Sequence, residues 1–287
     1  MVAIGWRDRL YLGIIYALLA LAAVSVIFPL MYVVSVSLTP YAEVLKRGGF
    51  TIIPSSITFE AYAAFLEDSR IPRAYGVTIF ITVAGTLVNL LLTSLMAYPL
   101  SRKDMPYRSV LLFITVFTLL FNGGVIPTYL IVKATGLVNS LWSMIIPGAV
   151  STFYLLIMKT FFEQLPANLD EAAKLDGAGE WKILIAVVMP LSLPIMATVG
   201  LFYAIGHWNE FFNAIMYVSD TKKHPLQVIL RGILSQKQMP ETNFEQVLPT
   251  ETLQMAAVIL STLPILVVYP FIQKYFTQGA LLGSVKG

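Results

Sequence analysis

The sequence has little of what soluble proteins and most enzymes depend on. It has no cysteine, which excludes disulfide frameworks and thiolate metal sites. Charged residues make up only 12% of the 287 positions, about half of the fraction usual for a soluble domain. The net charge of +3 comes without a basic cluster, which argues against a nucleic-acid partner. Apolar residues, in contrast, make up 57% of the chain, and the mean hydropathy is +0.76.

Two catalytic signatures are also absent. There is no GxxxxGK[ST] phosphate-binding loop, so any nucleotide chemistry must be carried out by another chain. There is no HExxH metal pair, and the two histidines, His207 and His224, lie too far apart in sequence to form a local pair. The sequence therefore predicts a protein that is not itself an enzyme and has no metal site.

Six apolar runs are long enough to cross a bilayer core of about 30 Å as helices. The runs lie at about 11–38, 75–100, 109–131, 141–158, 183–206 and 252–273. The third run is interrupted by Asn122-Gly123-Gly124, with Pro127 just beyond. The pattern predicts an all-α membrane protein with six transmembrane helices that form one domain over residues 1–287.

The basic residues give a weak indication of orientation. Ten lie on one predicted side of the membrane and nine on the other. The short turn from Ser101 to Arg108 holds three of them (Arg102, Lys103 and Arg108), and short loops next to helix ends carry most weight in the positive-inside rule. We therefore expect this turn and both termini to be cytoplasmic.

None of the six runs contains Asp, Glu, Lys, Arg or His. Ion-coupled carriers usually place ionisable groups within the membrane, so their absence argues against such a carrier. A sodium-coupled carrier that uses backbone carbonyls stays open, as does a channel, a scaffold or a membrane-bound enzyme. Co-purification of ATPase chains would separate an ATP-driven transporter from all of these.

One connection, at residues 163–182, carries the most specific signal. It reads EAAKLDG at 171–177, followed after nine residues by VVMP at 187–190. Pro166 ends the preceding helix, and Asn168 with Glu171 has the spacing of a capping box at the start of a new one. Gly177 permits a left-handed turn out of that helix. The segment predicts a helix–turn–helix, although an ordinary capped connector would fit these residues too.

This segment resembles the EAA motif of bacterial ABC-importer permeases, with Val187 and Met189 in place of the usual Ile and Leu. Other parts of the chain fit the same family, and the chain most resembles the carbohydrate-type permeases. Within these it is similar to the second permease of maltose-like systems, in the branch of lipo-oligosaccharide and alginate importers. The segments that carry the likeness are NGGVIP (122–127), WNEFF (208–212), HPLQ (224–227), YPFIQKYF (269–276) and GSVKG (283–287).

The resemblance implies a six-helix permease with cytoplasmic EAA coupling helices, in the bacterial inner membrane and in contact with its lipid. Its expected partners are a second permease subunit, two ATPase subunits that bind ATP and Mg²⁺, and an extracytoplasmic solute-binding protein. This chain itself would hold no cofactor. The expected substrate is an oligosaccharide or an acidic polysaccharide fragment. The sequence does not indicate which sugar it is, which permease subunit holds it, or whether the two permeases are identical.

Three groups of candidate residues follow from the resemblance. Glu171, Ala172, Ala173, Asp176 and Gly177 would couple the permease to the ATPase. Asn122, Trp208, Asn209, Glu210 and Asn213 are candidates for the substrate path, although Trp208 could be an interfacial aromatic, Asn209 a helix cap and Asn122 part of a packing break. The C-terminal tail, residues 275–287 with Gly283, Lys286 and Gly287, would reach the ATPase interface, unless it is simply a disordered terminus.

Overall fold

The computed structural model describes residues 6–235 and 251–284, and within these ranges it is helical with no β-strand. Helices suit the apolar runs because all backbone hydrogen bonds are then made within the segment, as a bilayer requires. The first helices are α1 (Trp6–Ser37), α2 (Tyr41–Lys46), α3 (Glu60–Glu67), α4 (Arg70–Ser101), α5 (Arg108–Leu120), α6 (Val125–Ala134) and α7 (Thr152–Glu163). They are followed by α8 (Ala167–Leu175), α9 (Glu180–Ile183), α10 (Met189–Leu191), α11 (Leu193–Trp208), α12 (Phe212–Tyr217), α13 (Leu226–Ser235) and α14 (Glu251–Ser284).

Three helical segments are long and apolar enough to cross a membrane without a break. They are Leu10–Ser37 in α1, Arg70–Ser101 in α4 and Glu251–Val268 in α14. Three further candidates are bent pairs: α5 with α6 (116°), Leu141–Gly148 with α7 (54°), and Glu180–Leu191 with α11 (82°). If each bent pair is counted as one span, the described residues hold up to six. The prediction of an all-α membrane fold is confirmed.

The bend in the first pair lies at the interruption predicted within 109–131, whereas no break was predicted within 141–158 or 183–206. The first breaks where Gly124 adopts a φ of 86°, a left-handed conformation that ends regular helix. The second begins as two short 3₁₀ turns, the later of which contains Pro147. The third widens to a π-helical turn at Leu184–Val188 before a break at Ser192, with Pro190 and Pro194 on either side.

The chain divides into two compact units, and the first comprises residues 1–69 and 230–263. Its long connection after α1 is folded rather than extended, because α2 and α3 lie within it. The backbone N–H of Thr58 donates to the carbonyl of Leu38 (2.8 Å), and the hydroxyls of Ser37 and Tyr62 are 2.7 Å apart. The side chains of Val36, Val44 and Phe65 are among those buried.

The second unit comprises residues 70–229 and 264–287, and it is organised around α4, which packs against α7 and α11. One buried apolar cluster holds Tyr98, Met158 and Val199, with others from these helices. Polar contacts are buried with it: the hydroxyls of Thr93 and Tyr203 are 2.8 Å apart. α4 is therefore the single long helix on which this unit is built.

One buried contact in this unit involves a histidine that the predicted boundaries left outside the membrane. α11 extends to Trp208, two residues beyond the predicted end at 206, and so includes His207, which is only 7% exposed. Nε2 of His207 lies 3.0 Å from Nδ2 of Asn89. A methyl group in place of the Gly85 hydrogen would come within 2.5 Å of that ring. The absence of a side chain at Gly85 therefore allows α4 and α11 to approach closely.

Candidate functional site

The EAA segment folds as the helix–turn–helix that its sequence predicts. α8 contains Glu171, Ala172 and Ala173 and ends at Leu175, and Gly177 follows with a φ of 74°. The N–H of Gly177 donates to the carbonyl of Lys174 (3.0 Å), and the N–H of Ala178 donates to that of Ala173 (2.9 Å). These two bonds form a Schellman motif, which fixes the direction in which the chain leaves α8.

The predicted capping box is wrong. α8 begins two residues earlier than that box requires, at Ala167, with Pro166 as its N-cap, and no side chain caps its first turn. Proline supplies the backbone angle for the helix start (φ −59°) but no side-chain acceptor. The Glu171 carboxylate has no hydrogen-bond or ion-pair partner in the part of the chain that the structure describes. This carboxylate is therefore not used in holding α8 together.

The residue before the EAA sequence attaches α8 to the end of α4. Nη2 of Arg102 donates to Oδ1 of Asp170 (3.0 Å), and Nη1 pairs with the second carboxylate oxygen. Nη2 also donates to the Tyr98 hydroxyl (2.9 Å), and the guanidinium carbon lies 4.5 Å from the centre of the Tyr98 ring. A two-pronged, half-buried arginine–carboxylate contact is among the strong ion pairs of proteins. We call Tyr98, Arg102, Asp170 and Glu180 the brace.

Glu180 completes the brace from the second helix of the motif. The Tyr98 hydroxyl donates to Oε2 of Glu180 (2.6 Å), and Nζ of Lys174 lies 3.0 Å from Oε1. Glu180 is the first residue of α9, so the brace fixes the start of that helix as well as α8. The helix–turn–helix is thus held to the C-terminal end of α4 at two points, Asp170 and Glu180.

Several side chains of this helix–turn–helix are exposed and form part of its surface. Glu171 and Ala172 are exposed, Leu175 is 89% exposed, and Trp181 is 69% exposed. A free carboxylate, a low alanine surface and two large apolar side chains on one short, fixed motif are typical of a protein-docking surface. We call Glu171, Ala172, Leu175 and Trp181 the docking face.

The structure brings four of the five substrate-path candidates together, between α11 and α12. Both oxygens of the Glu210 carboxylate are used locally, accepting from the backbone N–H (2.9 Å) and the amide (2.8 Å) of Asn213. Nδ2 of Asn209 donates to the carbonyl of Ile205 (2.9 Å), and Trp208 is buried, with 8% of its surface exposed. These polar groups stabilise the connection between α11 and α12. Their contact with a sugar stays a prediction.

Asn122 lies apart from these four, at the bend between α5 and α6. Its Oδ1 accepts a hydrogen bond from the N–H of Gly124 (2.8 Å), and this contact closes a local turn at the start of α6. Among the tail residues, Gly283 lies in α14, whereas Lys286 and Gly287 lie outside the described residues. Most of the predicted tail is therefore a continuation of the last helix.

The comparison with protein families agrees with this geometry. The family described as "Binding-protein-dependent transport system inner membrane component" matches residues 89–281, which include the brace and the docking face. The chain belongs to this family. Its members are membrane permease subunits rather than the ATPases that drive them, so this permease is a transport subunit and not an enzyme.

Curated relatives and a solved structure are similar over nearly the whole permease. It is 43% identical to the polygalacturonan/rhamnogalacturonan transport system permease protein YtcP of Bacillus subtilis, over 98% of this chain and 100% of that one. It is 44% identical to Protein LplC of the same organism, over 91% and 90% of the two chains. A chain in the crystal structure of a bacterial ABC transporter involved in the import of the acidic polysaccharide alginate is 33% identical, with a TM-score of 0.89, over 96% of this chain and 100% of that one. The resemblance to carbohydrate-type ABC permeases is confirmed.

Sequence reasoning missed the brace of this permease. In the sequence Arg102 is recognisable only as a charge near the membrane, and Asp170 and Glu180 are not among the residues that define the EAA motif. Arg102 and Asp170 are 68 residues apart in sequence, and Tyr98 and Glu180 are 82 apart. The available signal was the occurrence of acidic residues on both sides of the EAA sequence, opposite a basic turn predicted on the same side of the membrane.

Proposed function

We propose that this permease carries an acidic oligosaccharide across the inner membrane and receives its driving force through the docking face. The observation that carries the coupling part is Glu171, an unpartnered carboxylate on a short helix that the brace holds in place. Because Glu171 does not cap its own helix, its charge is available for a basic residue of an ATPase subunit. The surrounding Leu175 and Trp181 would be covered by the same contact.

The names of the similar proteins support the choice of substrate. The polygalacturonan/rhamnogalacturonan permease and the alginate transporter, which resemble this chain over nearly all of its length, are named for polymers that contain uronic acids. The shared feature of such substrates is a carboxylate on each acidic sugar ring. We infer that fragments of this kind, delivered by a solute-binding protein, are the cargo of this permease.

The remaining parts of the proposal concern assembly. One further permease subunit and two ATPase subunits would complete the transporter, with ATP and Mg²⁺ bound by the ATPases. The turn at Ser101–Arg108 and both termini would be cytoplasmic, which puts the docking face on the side where ATP is available. The end of the chain, with Gly283, Lys286 and Gly287, would contribute to the ATPase interface. The polar residues of the connection between α11 and α12 remain candidates for sugar contacts.

Transport by the reconstituted complex tests the proposed function. The complex in liposomes should take up trigalacturonate only with its binding protein outside and Mg²⁺-ATP inside, and sodium or proton gradients should have no effect. Uptake driven by an ion gradient without ATP would instead support the carrier alternative. A total lack of ATP-dependent uptake of acidic oligosaccharides, in a complex that still imports neutral ones, would rule out the proposed substrate class.

Topology can be tested separately because the chain has no cysteine to remove. A membrane-impermeant thiol reagent added outside cells should label Ser56→Cys and spare Lys103→Cys, since both positions are exposed and are predicted to lie on opposite sides. Labelling of Lys103→Cys from outside would contradict the proposed orientation.

A further inference from the structure

The end of α4 that lies far from the brace carries a second feature. α4 has 32 residues, so its two ends are about 48 Å apart at a rise of 1.5 Å per residue. That distance exceeds the roughly 30 Å of a bilayer core. With the brace on the cytoplasmic side, the Arg70 end of α4 faces the outside of the cell.

At this end a cleft of about 230 Å³ opens between the start of α4 and the segment that precedes α13. Four of the seven residues that line it are basic and none is acidic. The seven are Arg70, Arg73, Ala74, Thr221, Lys222, His224 and Ile229. The Arg73 and Lys222 side chains are exposed, and within residues 6–235 and 251–284 neither has an ion-pair partner. The cleft thus contains two exposed cationic side chains, Arg73 and Lys222, that no acidic residue of these ranges pairs with. We call it the basic cleft.

The segment that supplies Lys222 and His224 is held in a fixed shape. The N–H of Asp220 donates to Oδ1 of Asn139 (3.0 Å), and Nζ of Lys223 donates to the carbonyl of Asn139 (2.7 Å). Nε2 of His224 donates to the carbonyl of Val218 (3.0 Å), because a carbonyl oxygen can only accept. The Asp220 carboxylate accepts from the backbone N–H of Lys222 (2.9 Å) and so caps the short turn. Lys222 and His224 are therefore carried by a preorganised loop.

The same segment is joined directly to α4. The N–H of Leu226 donates to the buried hydroxyl of Thr78 (2.8 Å), two helical turns along from Arg70. This bond sets the distance between the loop and the first turns of α4, where Arg73 lies. A cleft whose two walls are linked in this way loses little conformational entropy when an anion binds between them.

The size of the basic cleft limits its ligand. Drug-sized ligands occupy pockets of about 300–1,000 Å³, and a stable protein interface covers roughly 800 Å² on each partner. At about 230 Å³, the basic cleft matches one anionic ring or head group. Arginine and lysine together favour a carboxylate or a phosphate, because the guanidinium binds such groups through two parallel hydrogen bonds.

We propose that the basic cleft binds the carboxylate of one uronate ring of the incoming oligosaccharide, on the extracytoplasmic side. This inference rests on the proposed function for the acidic cargo, and it adds a site at which this subunit itself contacts that cargo. Arg73 and Lys222 hold the carboxylate. Selection for acidic over neutral sugars then begins before the substrate enters the membrane.

The test compares a double variant with a matched control in the assembled transporter. Arg73→Gln/Lys222→Gln removes the two charges, and Lys133→Gln removes an exposed lysine of the same unit that does not line the cleft. The complexes are placed in discs of phosphatidylcholine, and binding of trigalacturonate and of its uncharged methyl ester is measured. Loss of two charge-assisted contacts should weaken trigalacturonate binding at least about tenfold. Binding by the Lys133→Gln control should equal that of the wild type, and binding of the ester should be the same in all three proteins.

Each outcome separates this site from the proposed function. If the double variant binds trigalacturonate as wild type does, the basic cleft is not the site, even though ATP-dependent uptake continues. If wild type imports no acidic oligosaccharide, the proposed cargo and the cleft assignment both fail. Discs that contain phosphatidylglycerol test for a lipid phosphate: if the double variant loses bound lipid but not trigalacturonate, the carboxylate assignment is overturned. The variant Arg73→Lys/Lys222→Arg, which retains both charges, should recover most of the binding and shows that any loss is not due to misfolding.

Discussion

The brace gives the sharpest test of how α8 is held. Arg102→Ala removes both prongs of the contact with Asp170, the hydrogen bond to the Tyr98 hydroxyl and the stacking on its ring. The Arg102 and Asp170 side chains are 25% and 20% exposed, so solvent screens the pair only in part. Hydrogen bonds to charged groups contribute about 1.5–3 kcal/mol, and we expect about 2 kcal/mol to be lost from the packing of α8 against α4.

Amide hydrogen exchange measures this loss directly. A loss of about 2 kcal/mol corresponds to roughly a 30-fold increase in the open population, so the amides of α8 should exchange roughly 30-fold faster. The increase should be confined to α8 and the start of α9, because the rest of α4 packs on α7 and α11. Lys103→Ala is the matched control, since Lys103 is exposed and forms no ion pair with any residue in 6–235 or 251–284.

Two results would refute this reasoning. Unchanged exchange of α8 in Arg102→Ala would show that the brace does not hold the helix. An equal effect of Lys103→Ala would show that only the net charge of the turn matters. Arg102→Lys should give an intermediate rate, because lysine retains the charge but lacks the planar fork that meets both oxygens of Asp170.

Three further predictions concern the docking face, the contact between α4 and α11, and the tail. Glu171→Gln should leave membrane insertion intact but weaken ATPase binding by about tenfold or more, measured by co-purification and by sugar-stimulated ATP hydrolysis; normal assembly would contradict the ion pair. Gly85→Ala should lower the stability of the purified permease by about 1–3 kcal/mol, because the new methyl overlaps His207, whereas Gly76→Ala in the same helix meets no atom within 4 Å and should not be destabilising; equal melting temperatures would contradict the close contact. Deletion of 283–287 should reduce ATP-dependent uptake without loss of insertion, and unchanged uptake would leave no role for these residues.

The long spans were predictable because their length is set by apolar composition alone. The sequence predicted helices at 11–38, 75–100 and 252–273, and the structure has α1, α4 and α14 there. Helix ends extend beyond the apolar runs, as at Arg70 in α4 and at His207 in α11, because a helix continues wherever its backbone bonds can be made. Hydropathy marks which residues avoid water but does not fix where the last hydrogen bond falls.

The bends and the brace were not predictable in the same way. Glycine and proline marked the interruption at 122–127, but the 116° angle depends on what packs on either side. The start of α8 was misplaced because Asn168 and Glu171 have capping-box spacing, while Pro166 already supplies the helix-starting backbone angle. Contacts such as Arg102 with Asp170 join residues 68 apart, and one sequence does not indicate which distant charges meet.

The single helix α4 also has a mechanical consequence. The brace is fixed at one end and the basic cleft at the other, with 32 residues of continuous helix between them. A rod about 48 Å long that tilts by about 5° about one end displaces the other by about 4 Å, more than the length of a hydrogen bond. A rotation of a few degrees is therefore a large movement at the far end of the helix. Any force that tilts α4 at the brace thus acts with a long lever arm on the walls of the basic cleft.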